Sequence, residues 1–209
     1  MKDKRVYLLQ VGLKQLGFYN DVCDGDEGPM TRAAITSWES TLSGAAVAGN
    51  SIASRIVEIA ATQLGIREVT KNQGLGIEKY WTATTYPGGF KNREPYCAAF
   101  VCWTVREAVG DTKAAFSLPE SPVAYDFEKW GISNSKKGVT VLSRDATLKP
   151  GDIFTLAAAS HVGIIKSVGK STVVTIEGNT DGSGSREGDG VYERSRTIAS
   201  LRKVIRIIT

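Results

Sequence analysis

The stretch EPYCAAFVCWTV, residues 94–105, holds two of the chain's three cysteines, Cys97 and Cys102. Its apolar residues do not keep to one face. The spacing therefore predicts a helix over 95–109 that is buried almost all round, with a sheet packed against it. Pro95 suits the first helical position, where a missing N–H costs nothing. Cys97 then falls in the first turn, where unpaired N–H groups and the helix dipole favour an anion and lower a thiol's pKa. Cys102 lies roughly 140° further round at about 100° per residue. It shares a face with Ala98, Val105 and Val109 and reads as a small buried hydrophobe. Taken without partners, Cys97 reads as core too, so the case for it rests on the rest of the chain.

After residue 151 the texture changes to strands: DIFTL, HVGIIKSV, STVVTIEGN and finally VIRIIT, with SREGDGVYER lying between the last two. Helices first and an antiparallel sheet afterwards make an α+β domain. HVGIIKSV opens on the only histidine, His161. Period-two alternation turns His161, Gly163 and Ile165 one way and Val162 and Ile164 the other. Gly163 leaves room beside the ring. On the next strand Thr175, Glu177 and Asn179 share a face, which offers the imidazole an orienting group. His161 meets Glu177 or Asn179 on one face only if the paired residue numbers have an even sum. A two-residue turn at Gly169–Lys170 gives an odd one. A three-residue loop or a bulge is therefore expected around 168–171, with Gly169 in the left-handed conformation.

Composition narrows the functions. The 209 residues carry a net charge of +4, from 26 basic and 22 acidic side chains. There is no basic run or aromatic-interleaved basic stripe, so nucleic acid is not an expected partner. No run of about 18 apolar residues predicts a membrane span. Gln10 and Lys14 interrupt the only apolar stretch at the amino terminus, so no secretory signal is expected. Three cysteines without framework spacing argue against a disulfide scaffold and for a reducing site of synthesis. One histidine and no CxxC exclude the usual zinc hydrolase sites. DGSGSREGDG, 181–190, resembles a calcium loop in part, but its twelfth position is Tyr192 rather than Glu. It reads as a mobile loop beside the site. No metal and no cofactor are expected.

The front of the chain is helical, then broken, then helical. VYLLQVGLKQLG sets Leu9, Leu13 and Leu16 on one face and ends at Gly17. Ala34, Ile35, Trp38 and Leu42 repeat at helical spacing, with Thr31 as a cap. SGAAVAGNS, 43–51, reads as a linker. A third helical pattern then runs through Ile52, Ile56, Ile59, Ala60 and Leu64. The expected division is a domain over 1–43, a linker over 44–51 and a second domain over 52–209.

PYCAAFVCW, LKPGDIFTL, SHVGIIKSV and TIEGNT, in that order, resemble the CHAP and NlpC-type cell-wall cysteine peptidases. The resemblance implies a papain-like domain in which Cys97 opens a helix packed on a small antiparallel sheet. His161 and a polar third member, Glu177 with Asn179 two residues on, lie on that sheet. It implies that Cys97 attacks an amide of the peptidoglycan stem and that His161 moves the proton. Glu177 orients the ring and Asn179 supports or replaces that contact. The oxyanion is held by the Cys97 N–H and a further donor, Tyr96 or a residue within 90–96. Tyr96, Trp81 and Tyr86 are the expected substrate-binding aromatics, with Tyr80 and Trp130 as further candidates.

LLQVGLKQLGFY and DGDEGPMTRAAITSWE resemble a three-helix peptidoglycan-binding domain, shortened here and with Trp38-Glu39 where FQ is usual. That resemblance assigns wall binding to Tyr19, Asp24, Gly25, Gly28 and Thr31. Together the two imply a bacteriophage endolysin: a monomer made in the host cytoplasm that acts on peptidoglycan after release, without membrane insertion. The alternatives are a secreted antibacterial effector with the same chemistry, a glycan-cutting muramidase, and a non-catalytic wall-binding protein.

Overall fold

In the computed structural model, residues 3–36, 38, 51–158, 160–185 and 187–208 are described. The chain divides into two compact units, residues 1–50 and 51–209. The linker expected at 44–51 lies outside the described residues except for Ser51.

In the first unit, helix α1 (Lys4–Gln15) starts at Asp3, whose side chain accepts from Arg5 N–H. Helix α2 has described residues 29–36 and 38. Leu13, Tyr19 and Ala34 form a small core. The apolar face expected of α1 is only partly buried, since Leu9 and Leu16 are exposed. The buried residue beside Leu13 is Gln10, a position the hydrophobic pattern passes over. Its Nε2 donates to Tyr19 Oη, Asp24 Oδ1, Asp26 O and Thr31 Oγ1, and its Oε1 accepts from the N–H groups of Asp24 and Gly25. One amide thus ties the turn-rich segment 19–31 to α1. Thr31 is not a cap. It sits inside the first turn of α2, buried, with its hydroxyl on Asp26 O.

The second unit is α+β. Helix α3 (Ile52–Ala61) is capped by Ser51 Oγ, which accepts from Ser54 N–H. It buries Ile52, Ile56 and Ala60. After the short α4 (Glu78–Trp81) comes α5 (Cys97–Val109), buried along ten of its thirteen residues. It starts two residues later than Pro95 suggests. Helix α6 (Asp126–Ser133) precedes the sheet. The strands are β1 (Val139–Leu142), β2 (Ile153–Leu156), β3 (Val162–Val168), β4 (Thr172–Thr180), β5 (Gly190–Thr197) and β6 (Leu201–Ile207). They form one antiparallel sheet in the order β1-β6-β2-β3-β4-β5.

The sequence pattern finds β2, β3, β4 and β6 but not β1 or β5. Strand β5 reads GVYERSRT, alternating in burial with almost no aliphatic residues, so no hydrophobic period marks it. Alternation sends Val162, Ile164 and Ile176 into the main core with α5. It sends Ile165 and Val173 into a second core on the other face. Gly178 lets β4 lie close against α5: a Cβ there would stand 2.8 Å from Phe100 Cβ.

Candidate active site

Cys97 is the first residue of α5, so its N–H has no intrahelical acceptor. The residue is 6% exposed and lines a cleft of about 260 Å³. Trp81, Tyr86, Pro95, Pro122, Val123 and Ala124 help to line that cleft. Cys102 is fully buried with its thiol on Ser121 O at 3.5 Å, and burial pushes its pKa up. Both cysteines of the helix are buried, but only Cys97 lines the cleft.

His161 immediately precedes β3 and is fully buried. Its Nε2 meets Glu177 Oε2 at 2.8 Å. The other ring nitrogen, Nδ1, is buried without a hydrogen-bond partner. With Nε2 occupied, Nδ1 is the nitrogen left to the Cys97 sulfur, and the charge of each group favours that of the other.

The even register that brings ring and carboxylate together comes from a bulge, but not where it is expected. The hairpin turn encloses only Lys170 and Ser171, closed by Gly169 N–H on Thr172 O at 2.8 Å. Gly169 is not in the left-handed region. Ser167 faces Val174 but Ile165 faces Thr175, so Lys166 is the extra residue. Without it Glu177 would lie opposite Ile164 and point into the main core. With it, Glu177 leans over Gly163. A Cβ on that glycine would stand 2.7 Å from Glu177 Cγ and 2.8 Å from the Phe154 ring, so only glycine leaves this space.

Glu177 is fully buried and fully partnered. Oε1 accepts from Thr175 Oγ1 and from Arg196 Nε at 2.9 Å, and Oε2 accepts from Arg196 Nη2 at 2.6 Å beside His161. Burial alone would raise its pKa. The Arg196 fork and the imidazole outweigh burial and hold it at about 2. His161 shows the same balance: burial lowers its pKa, and the thiol and carboxylate raise it to about 9. The Cys97 thiol is raised by burial but lowered further by His161 and by the N–H groups of Val162 and Ala98, for a net decrease. These directions favour a thiolate–imidazolium pair. Sequence reasoning missed Arg196 because it missed β5. The signal available was the alternation of Tyr192, Arg194 and Arg196.

Asn179 does not reach the imidazole. A second bulge interrupts the β4–β5 pairing between Glu177 and Thr180 and puts Asn179 at φ 57°. Its Oδ1 accepts from Tyr96 N–H at 2.7 Å, and its Nδ2 donates to Asn72 Oδ1 and Gly188 O. Asn179 therefore holds the entrance of α5 rather than the ring. This also removes Tyr96 N–H as an oxyanion donor. Tyr96 is fully buried, packed near Tyr80, with its hydroxyl toward Glu68, so it does not touch substrate. Tyr80 is equally buried, and Trp130 donates from Nε1 to Ser117 O. Trp81 and Tyr86 do line the cleft, as expected. Their rings meet edge to face at 6.2 Å, and Tyr86 is the exposed one.

The expected wall-binding residues of the first unit serve its own fold. Tyr19, Gly25 and Thr31 are buried, Asp24 is engaged by Gln10 and Asp26 N–H, and Gly28 O accepts from Arg32 N–H. The 181–190 stretch, expected to be mobile, is laced together in its described residues. Asp181 Oδ1 accepts from the N–H groups of Ser183, Gly184 and Ser185. Among the described residues no group of three or more His, Cys, Asp or Glu side chains is arranged to hold a metal ion. No described helix is long and apolar enough to cross a membrane.

A cysteine at the mouth of a buried helix, facing a histidine carried by an antiparallel sheet, is the papain-like arrangement. Residues 85–179 match the family model of the CHAP domain, a span that includes Cys97, His161, Glu177 and Asn179 and stops short of Arg196. The chain is similar in structure to the crystal structure of Ly7917, at 16% identity and a TM-score of 0.45, covering 74% of this chain and 62% of that one. It is similar also to Ly7917 with the hydrolyzing product of MDP, at 16% identity and a TM-score of 0.46, covering 75% and 62%. The chain thus spans about three fifths of the length of those solved chains. No curated protein matches it.

Proposed function

We propose that this chain is a cysteine-dependent peptidoglycan amidase or endopeptidase, and that it works as a phage endolysin. The observation that carries the reading is Cys97 at a helix start, lining an open cleft, coupled to a histidine whose other nitrogen is bound to a buried, ionised glutamate. In this reading the Cys97 thiolate attacks the carbonyl carbon of a stem-peptide amide. The oxyanion takes the Cys97 N–H, aided by the helix dipole. The imidazolium of His161 gives its proton to the leaving amine as the C–N bond breaks, leaving a thioester. Water then attacks the thioester with His161 as base, releasing the acid and restoring the thiol. Glu177 fixes the ring's tautomer and stabilises its positive charge. The first unit serves as the wall-binding module, and the enzyme, made in the host cytoplasm, meets peptidoglycan on release.

Digestion of purified peptidoglycan tests this. Mass spectrometry is expected to find new amino groups on stem peptides with the native chain and, with Cys97→Ala, a loss of at least about a thousandfold in rate. New reducing sugars, or a Cys97→Ala variant of full activity, would overturn the assignment.

A further inference from the structure

The cleft over Cys97 is lined almost wholly by uncharged groups, among them the rings of Trp81 and Tyr86 and the side chains of Pro122 and Val123. Glu94 is the one charged residue in that lining. It stands three positions before the cysteine. Its backbone is fixed by its N–H on Gly89 O at 3.0 Å, and Pro95 stiffens the next bond. Its carboxylate is exposed, and among the described residues no cation pairs with it and no donor binds it, although Lys91 and Arg93 are close in sequence. A free carboxylate at the rim of a mostly apolar cleft, near aromatic rings, is a complement to an ammonium group: charge on charge, with aromatic π-faces as a second attraction.

We propose that Glu94 is a specificity residue that receives an ammonium of the substrate, so that the amide cut at Cys97 lies close to a primary amine. This deepens the reading of Cys97 as nucleophile and rests on it. In a peptidoglycan stem that amine has two sources, the side chain of a diamino acid or a free α-amino end of the peptide. A bound ammonium contributes to transition-state stabilisation only when the scissile carbonyl is over Cys97. Its loss therefore appears in kcat/KM, while the chemical machinery of Cys97, His161 and Glu177 stays intact.

The test uses the full chain and four probes. Two are diamino-acid muropeptides with the side-chain amine free or acetylated. Two are the sugar-free peptides with the α-amine free or acetylated. One of the two acetylations is expected to lower kcat/KM of the native chain by about tenfold, and which one does so names the source of the amine. Glu94→Gln is expected to cut the acetylated probe as fast as the native chain does and to lose the preference for the free amine. A native chain indifferent to both acetylations, or a Glu94→Gln variant that keeps the preference, overturns the proposal while leaving the nucleophile in place. If the native chain cuts none of the probes faster than Cys97→Ala does, the nucleophile reading and this proposal fall together.

Discussion

At the scale of single residues the site is a line of four side chains, Cys97, His161, Glu177 and Arg196, with alternating tendencies to carry charge. Glu177's folded pKa of about 2 lies below its ordinary 4.5. The carboxylate therefore adds stability that is fully present above pH 4.5 and is lost as pH falls toward 2. Arg196→Met removes the fork, leaving His161 alone to oppose burial, and the Glu177 pKa rises. The variant is expected to lose activity at a higher pH on the acid side, with a drop of roughly tenfold or more at neutral pH. Its Tm should also fall less steeply than the native chain's between pH 4.5 and 2. Arg196→Lys keeps charge without the fork and should lie between. A pH profile of kcat/KM together with melting curves reads both effects. On the alkaline side the sign reverses. His161 is held at about 9, above its ordinary 6.5, so its charge and the stability it brings are present below pH 6.5 and lost through pH 9. The alkaline limb of activity is expected there, where the proton for the leaving amine is lost.

At the scale of elements, two bulges do what the alternating pattern alone does not. The bulge at Lys166 sets the register that joins His161 to Glu177. The one within 177–180 turns Asn179 away from the ring and onto the start of α5. The E-x-N spacing is therefore legible in the sequence, but its division of labour is not, because one inserted residue reverses the face of all that follows it. Asn179→Ala strands the buried Tyr96 N–H and keeps a left-handed backbone without the side chain that favours it. It is expected to cost about 1–3 kcal/mol in urea unfolding. It should also lower kcat by loosening the helix entrance that carries Cys97, without shifting the alkaline limb. A shifted limb would mean that Asn179 acts on the imidazole after all.

At the scale of the whole chain there are two compact units: residues 51–209 carry the cleft, and the described residues of the first unit are tied together around Gln10. If the first unit binds the wall, deleting residues 1–50 should leave cleavage of soluble muropeptides within about twofold. It should also reduce co-sedimentation with insoluble peptidoglycan by tenfold or more, since tethering raises the effective concentration of the cleft at its polymer. Equal co-sedimentation of both forms would remove the binding role from that unit. Tyr19 and Thr31 belong to its interior, so a search for binding residues starts from its exposed positions.

The α+β class, the helix-start thiol, the lone histidine and the glutamate two positions before an asparagine can be read from the amino-acid order, because each is a local matter of period, turn chemistry or residue type. Folding in three dimensions added Arg196, the buried Gln10, the retirement of Tyr96 from the cleft and the true partner of Asn179. Each of these turns on contacts between positions far apart in the chain. Their alignment depends on where a single bulged residue falls, and no periodic pattern records that.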